Sequence, residues 1–122
     1  MNRREFEDCV GEALEALPPY FQRQLDNVEV LVEEWPDDDT LDIAGIDDPA
    51  DLQGWYHGVP LTERSTHYGL VPPDTISIYR QPILRACRTE AEARALIRRV
   101  VHHEVAHYFG ISDDRLRELG VY

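Results

Sequence analysis

Residues 102–113 read His102-His103-Glu104-Val105-Ala106-His107-Tyr108-Phe109-Gly110-Ile111-Ser112-Asp113 and contain the pattern H-E-x-x-H. On a helix, about 100° of rotation per residue brings His107 to within about 40° of His103 around the axis and one turn further along, so both imidazoles can converge on one ion. Zinc suits such a pair, because it is borderline-soft, accepts tetrahedral geometry and takes neutral imidazole nitrogen at about 2.0 to 2.1 Å. Glu104 follows His103 directly and is turned aside from ligation, which puts its carboxylate in the position of a general base beside the water that a metal activates. Gly110 permits a turn after the helix and lets Asp113 return toward the metal as an oxygen ligand at about 2.0 to 2.2 Å, with Asp114 as its rival. His102 points about 100° away from His103 and reads as a supporting or exposed residue. A chain of this composition would contain H-E-x-x-H by accident about 0.02 times, and about 0.0001 times with Gly110 and Asp113 also required, so the longer pattern carries the argument. The competing reading is a buried helix whose His and Glu pair with other core groups. Left unpaired there they would cost several kcal/mol, which a metal would offset.

Elements must position these residues. Thr89 can cap a long helix, Glu92 can close its capping box, and the helix is predicted to run to about Phe109, with apolar side chains nearly all the way round from Ile97 onward. Ser112 can cap a last short helix through Leu119, with Gly120 as its stop. At the other end, Phe6, Val10, Ala13, Leu14 and Leu17 form one stripe of an amphipathic helix from Arg4 to Leu17; Pro18 and Pro19 end it and can start a short helix through Leu25. Val28, Val30 and Val32 alternate as in a strand with one well-buried face. Residues 33–51 hold nine acids and no base, with Pro36, Gly45 and Pro49 among them; this stretch is expected to be a solvated loop, its spacing departing from that of a calcium loop. Gly54–Val59 reads as a short aromatic strand. Thr75–Arg80 alternates more clearly, and the prolines on both sides favour an edge position for it.

The 122 residues suit one domain. Twelve Arg against 24 acids give a net charge of −12, a surface that repels nucleic acid. The charge is uneven: residues 1–79 carry 18 acids and 4 Arg, residues 80–122 carry 6 acids and 8 Arg. No Lys occurs, which excludes Schiff-base chemistry. No apolar run is long enough for a signal peptide or a membrane span, so a cytoplasmic protein without membrane attachment is expected, and Cys9 and Cys87 are expected to be free thiols.

The string H-E-x-x-H-x-x-G-x-x-D, carried by His103, Glu104, His107, Gly110 and Asp113, resembles that of the zincin clan, and most closely the small bacterial minimal zincin-like domains related to the metzincins. The segments Gly58–Arg64 and Pro73–Arg80 also resemble those domains. The resemblance implies an α+β zincin-like fold, with a small mixed sheet packed on the active-site helix and an edge strand along the cleft. It implies Zn2+ held by His103, His107 and Asp113, its spacing selecting Asp113 over Asp114, and Glu104 as the base that hydrolyses a peptide or protein substrate. Two features depart from the larger relatives. The only methionine is Met1, so the methionine turn beneath the metal is missing, and there is no room for a second subdomain walling the cleft. Metal binding therefore carries over better than proteolysis does, and a non-catalytic zinc-binding domain acting as an interaction module is the alternative. For the peptidase, a substrate strand is expected to pair along residues 75–80, and Tyr68, Tyr79 and Arg80 are the candidates to stabilise the oxyanion.

Overall fold

The computed structural model describes residues 1–58 and 74–118. Helix α1 (Arg3–Glu15) starts at Asn2, whose side chain accepts the Glu5 N–H at 2.8 Å while the Glu5 carboxylate accepts the Asn2 N–H at 3.3 Å. That reciprocal cap satisfies two otherwise orphaned donors, and the apolar spacing then buries Phe6, Cys9, Val10 and Ala13. Pro18 and Pro19 break the chain into α2 (Pro19–Arg23), shorter than the sequence suggested. β1 (Val28–Glu33) follows; its valines are only half-buried.

The acid-rich stretch is not a plain loop. Asp37 accepts the Thr40 N–H at 2.7 Å and caps α3 (Asp38–Ala44), which Gly45 ends at φ 71°, and Asp48 accepts the Ala50 N–H at 2.9 Å to cap a single 3-10 turn, Pro49–Asp51. Counting charge hid this, because part of that charge satisfies helix termini while Leu41 and Leu52 turn inward.

β2 (Gly54–His57) and β3 (Asp74–Tyr79) complete a sheet of order β1-β3-β2, with β1 parallel and β2 antiparallel to β3. The strand expected at an edge is therefore the central one. The prolines flank it without entering it, so the N–H groups of Asp74–Tyr79 can serve two neighbours. Alternation along β3 divides the core. Ile76 and Ile78 join Phe6, Val10, Ile97 and Val101 on the helical face, whereas Tyr79 packs with Leu41 and Leu52 on the other.

α4 (Arg80–Arg85) leads into α5 (Glu90–Tyr108), and α6 (Asp113–Glu118) closes the described chain. Thr89 caps α5 by accepting the Glu92 N–H at 3.1 Å; the Glu92 carboxylate reaches one residue further back than a capping box requires, to the Arg88 N–H at 2.7 Å. The architecture is α+β, with a mixed sheet, three-stranded among the described residues, packed on the long helix. Among the described residues no helix is long and apolar enough to cross a membrane. Cys9 is buried and Cys87 half-buried, both unpaired as thiols.

Candidate metal centre

The last two turns of α5 carry His103, Glu104 and His107, whose ligand atoms all lie within 4.8 Å of one another. After Tyr108 the helix ends in two reverse bonds, Gly110 N–H to the His107 carbonyl and Ile111 N–H to the Ala106 carbonyl, each 2.9 Å. This pattern needs a left-handed residue, and Gly110 supplies it at φ 79°. The chain thereby doubles back, Ser112 Oγ accepts the Arg115 N–H at 3.2 Å, and Asp113 opens α6 beside the histidines. Its Oδ1 stands 3.1 Å from His103 Nε2 and 2.8 Å from His107 Nε2. Donors of a tetrahedral site with bonds of about 2.05 Å stand about 3.3 Å apart, so Asp113 Oδ1 needs to draw back from the two imidazole nitrogens by only about half an ångström or less to share a zinc ion with them. The donor set fits that ion.

Charge around the site points the same way. His107 Nδ1 lies 3.3 Å from Glu104 Oε1, and the hydrogen bond to Glu104, opposed by burial but joined by the one to Asp113, pushes the imidazole up to about 9. Burial moves His103 in the opposite direction, below its ordinary value, against the pull of Glu104 and Asp113. Burial would raise Asp113, yet the hydrogen bond and charge of His107 hold it below the usual carboxylate range. Two carboxylates thus flank one imidazole, and a proton on it plays the part a cation would take over. Repulsion between Glu104 and Asp113 is consequently compensated even without metal, and uptake of a metal must displace that proton. The Glu104 contact on Nδ1 also leaves Nε2 of His107 as the face turned to Asp113.

The residues that sequence reasoning weighed separate clearly. His102 Nε2 is 2.8 Å from the Ala13 carbonyl and ties α5 to α1. The Asp114 side chain is 89 % exposed and pairs with Arg117 at 3.2 Å, away from the histidines. Asp113→Ala should weaken zinc binding by more than the about 10- to 100-fold that loss of a residue merely supporting a ligand costs, and Asp114→Ala should change it little. Competition against a zinc indicator dye measures both, and the reverse order would move the third ligand by one residue. Tyr79 is 1 % exposed within the second core, and burial pushes its hydroxyl up. Arg80 binds Glu34 at 2.8 Å and the Met1 carbonyl at 2.6 Å. Neither lines the cleft that holds the candidate metal centre, and Tyr68 lies outside the described residues, as do residues 59–64, Pro73, Leu119 and Gly120.

Sequence reasoning missed Gly54. A Cβ there would come within 2.8 Å of Val100 Cγ1 and 3.1 Å of Glu104 Cγ, so the bare backbone is what lets β2 lie against α5. Gly54→Ala should cost about 1 to 3 kcal/mol as an overpacked contact, read as a fall in the calorimetric melting temperature; an unchanged value would show that the strand shifts freely. Its only signal in the sequence was a glycine opening a strand. Between β2 and α5 runs a cleft of about 530 Å3, walled by Leu52, Trp55, Leu96 and Val100, with His103, Glu104 and His107 along the helix.

A model of the zincin-like metallopeptidase family matches residues 25–121, most of the chain and all of the candidate metal centre. The protein belongs to the zincin-like metallopeptidase family, whose members are built around a metal ion, usually zinc. No curated protein sequence matches the chain significantly.

Proposed function

We propose that the protein is a zinc-dependent peptidase in which His103, His107 and Asp113 hold the metal and Glu104 is the general base. The observation that carries this reading is the approach of Asp113 Oδ1 to two imidazole nitrogens, at 3.1 and 2.8 Å, beside the buried Glu104 at the side of an open cleft. A zinc ion there would polarise the scissile carbonyl and bring the pKa of water to about 7. Glu104 takes the proton of the attacking water and returns it to the leaving amine. His103 and His107, fixed on consecutive turns of a buried helix, hold their geometry without rearrangement, and Asp113 follows them through the Gly110 turn.

Because β3 is central, a substrate strand cannot pair with residues 75–80. The strand that flanks the cleft is β2, which among the described residues is paired with β3 on one side only, and a peptide adding to its other edge would run past the candidate metal centre using main-chain hydrogen bonds. Incubating zinc-loaded protein with a peptide library tests the proposal. Cleavage that disappears on chelation and returns with zinc supports it. Stoichiometric zinc with no cleavage under any condition would favour the non-catalytic interaction module instead.

A further inference from the structure

Beyond the histidines and carboxylates of the candidate metal centre, the cleft wall is mostly apolar, with Asp51 and Gln53 at its side, and Arg99 is the one arginine among its described lining residues. Arg99 precedes His103 by four residues on α5, so it projects from the same helix face about 6 Å nearer the N-terminus. Its side chain is exposed and makes no ion pair with any described residue, although the chain carries 24 acids against 12 Arg. Arg94, five residues earlier, pairs with Glu90 at 3.1 Å, and Arg80 with Glu34 at 2.8 Å. Even Asp51, which lines the same cleft, forms no ion pair with Arg99. Leu96, one turn before Arg99, is buried in the core yet lines the cleft with its apolar side chain. Both residues also line a second hollow of about 500 Å3, which continues over Cys87 and Arg88. Arg99 therefore stands on the ridge where the cleft passes into that hollow, and a second arginine lies beyond it.

We propose that Arg99 is the specificity-determining residue of this cleft, and that the substrate is a peptide in which an apolar side chain lies against Leu96 and Val100 and a carboxylate pairs with Arg99. This rests on the peptidase reading above. An extended peptide advances about 3.3 Å per residue, so a group about 6 Å from the histidines along the helix serves a position one or two residues from the bond being cut. The guanidinium fork matches a carboxylate in shape and charge, and either an acidic side chain or the peptide's own C-terminal carboxylate presents that group.

The test uses zinc-loaded protein and matched fluorogenic peptides, one pair with Glu or Gln following an apolar residue and one pair ending in that residue as free acid or amide. An exposed ion pair gives a few-fold preference and a desolvated charge-assisted bond about 100-fold, so the expected preference for the acid form in kcat/KM is about tenfold. The pair that shows it identifies the source of the carboxylate. Arg99→Gln should reduce the preference to within about twofold, and Arg99→Glu should reverse it in favour of basic peptides, with zinc content and melting temperature unchanged because the side chain is exposed. Equal cleavage of acid and amide forms by the unmodified protein, or a preference that survives in Arg99→Gln because the carboxylate is drawn to the metal, would overturn the proposal and leave the peptidase reading standing. If nothing is cleaved, calorimetric binding of the same peptides decides: an Arg99-dependent preference for the acid form would support the carboxylate site while overturning the peptidase reading. Peptides neither bound nor cleaved would overturn both.

Discussion

Replacing Glu104 by Gln should leave fold and zinc content intact and lower peptide turnover by about 100- to 10,000-fold, the range that a positioned general base contributes. The amide has nearly the same shape, which matters because this residue is 5 % exposed and its Cγ lies where β2 approaches α5 at Gly54. Gln can still accept a hydrogen bond from His107 Nδ1, now 3.3 Å from Glu104 Oε1, so the imidazole keeps its orientation. What Gln cannot do is take a proton from water. The loss should therefore appear in kcat and kcat/KM alike, with KM nearly unchanged, when both proteins are compared at equal zinc occupancy. Equal turnover would remove Glu104 from the chemistry. A variant that no longer retained zinc would give a different lesson, since Glu104 offers its carboxylate within 4.8 Å of both histidine nitrogens: it would then be a ligand.

The convergence of the candidate site's side chains was legible in the sequence because its determinants are local. His103 and His107 are related by helical periodicity, Glu104 by adjacency, and Asp113 by a turn that only a left-handed residue makes easily, so eleven consecutive residues encode the convergence found between α5 and α6. The α+β class and most helix starts were legible for the same reason, through caps and breakers. The sheet order was not. Prolines on both sides of Thr75–Arg80 suggested an edge, yet strand neighbours are chosen by long-range pairing, and Val28–Glu33 and Gly54–His57 both pair with this segment. Gly54 escaped because its role is defined by Val100 and Glu104 on another element. Arg99 escaped because nothing in a row of arginines says which one faces the cleft. Tyr79 and Arg80 looked available only because burial among Leu41 and Leu52, and partners such as Glu34, come from the far side of the fold.

Zinc should stabilise the protein, and His103→Ala/His107→Ala should abolish that effect. An ion that binds only the folded chain at about 1,000 times its dissociation constant adds about 4 kcal/mol. For 122 residues, with an unfolding entropy of about 2.1 cal/mol/K per residue, this corresponds to roughly 15 °C in melting temperature. Calorimetry of the chelated and zinc-loaded forms should show that gain in the unmodified protein and none in the double variant. The metal-free comparison is also informative. His107 stands between Glu104 and Asp113, at 3.3 and 2.8 Å, and its proton balances them when no metal is bound. Removing both imidazoles leaves the buried Glu104 carboxylate without that counter-charge, so the metal-free double variant should melt below the metal-free parent despite having lost the site that zinc would fill. A double variant that keeps the zinc-dependent gain would place the metal elsewhere. If it lost the gain yet melted at the parent's metal-free temperature, the centre would be a solvated cleft that binds zinc without contributing to the stability of the metal-free fold.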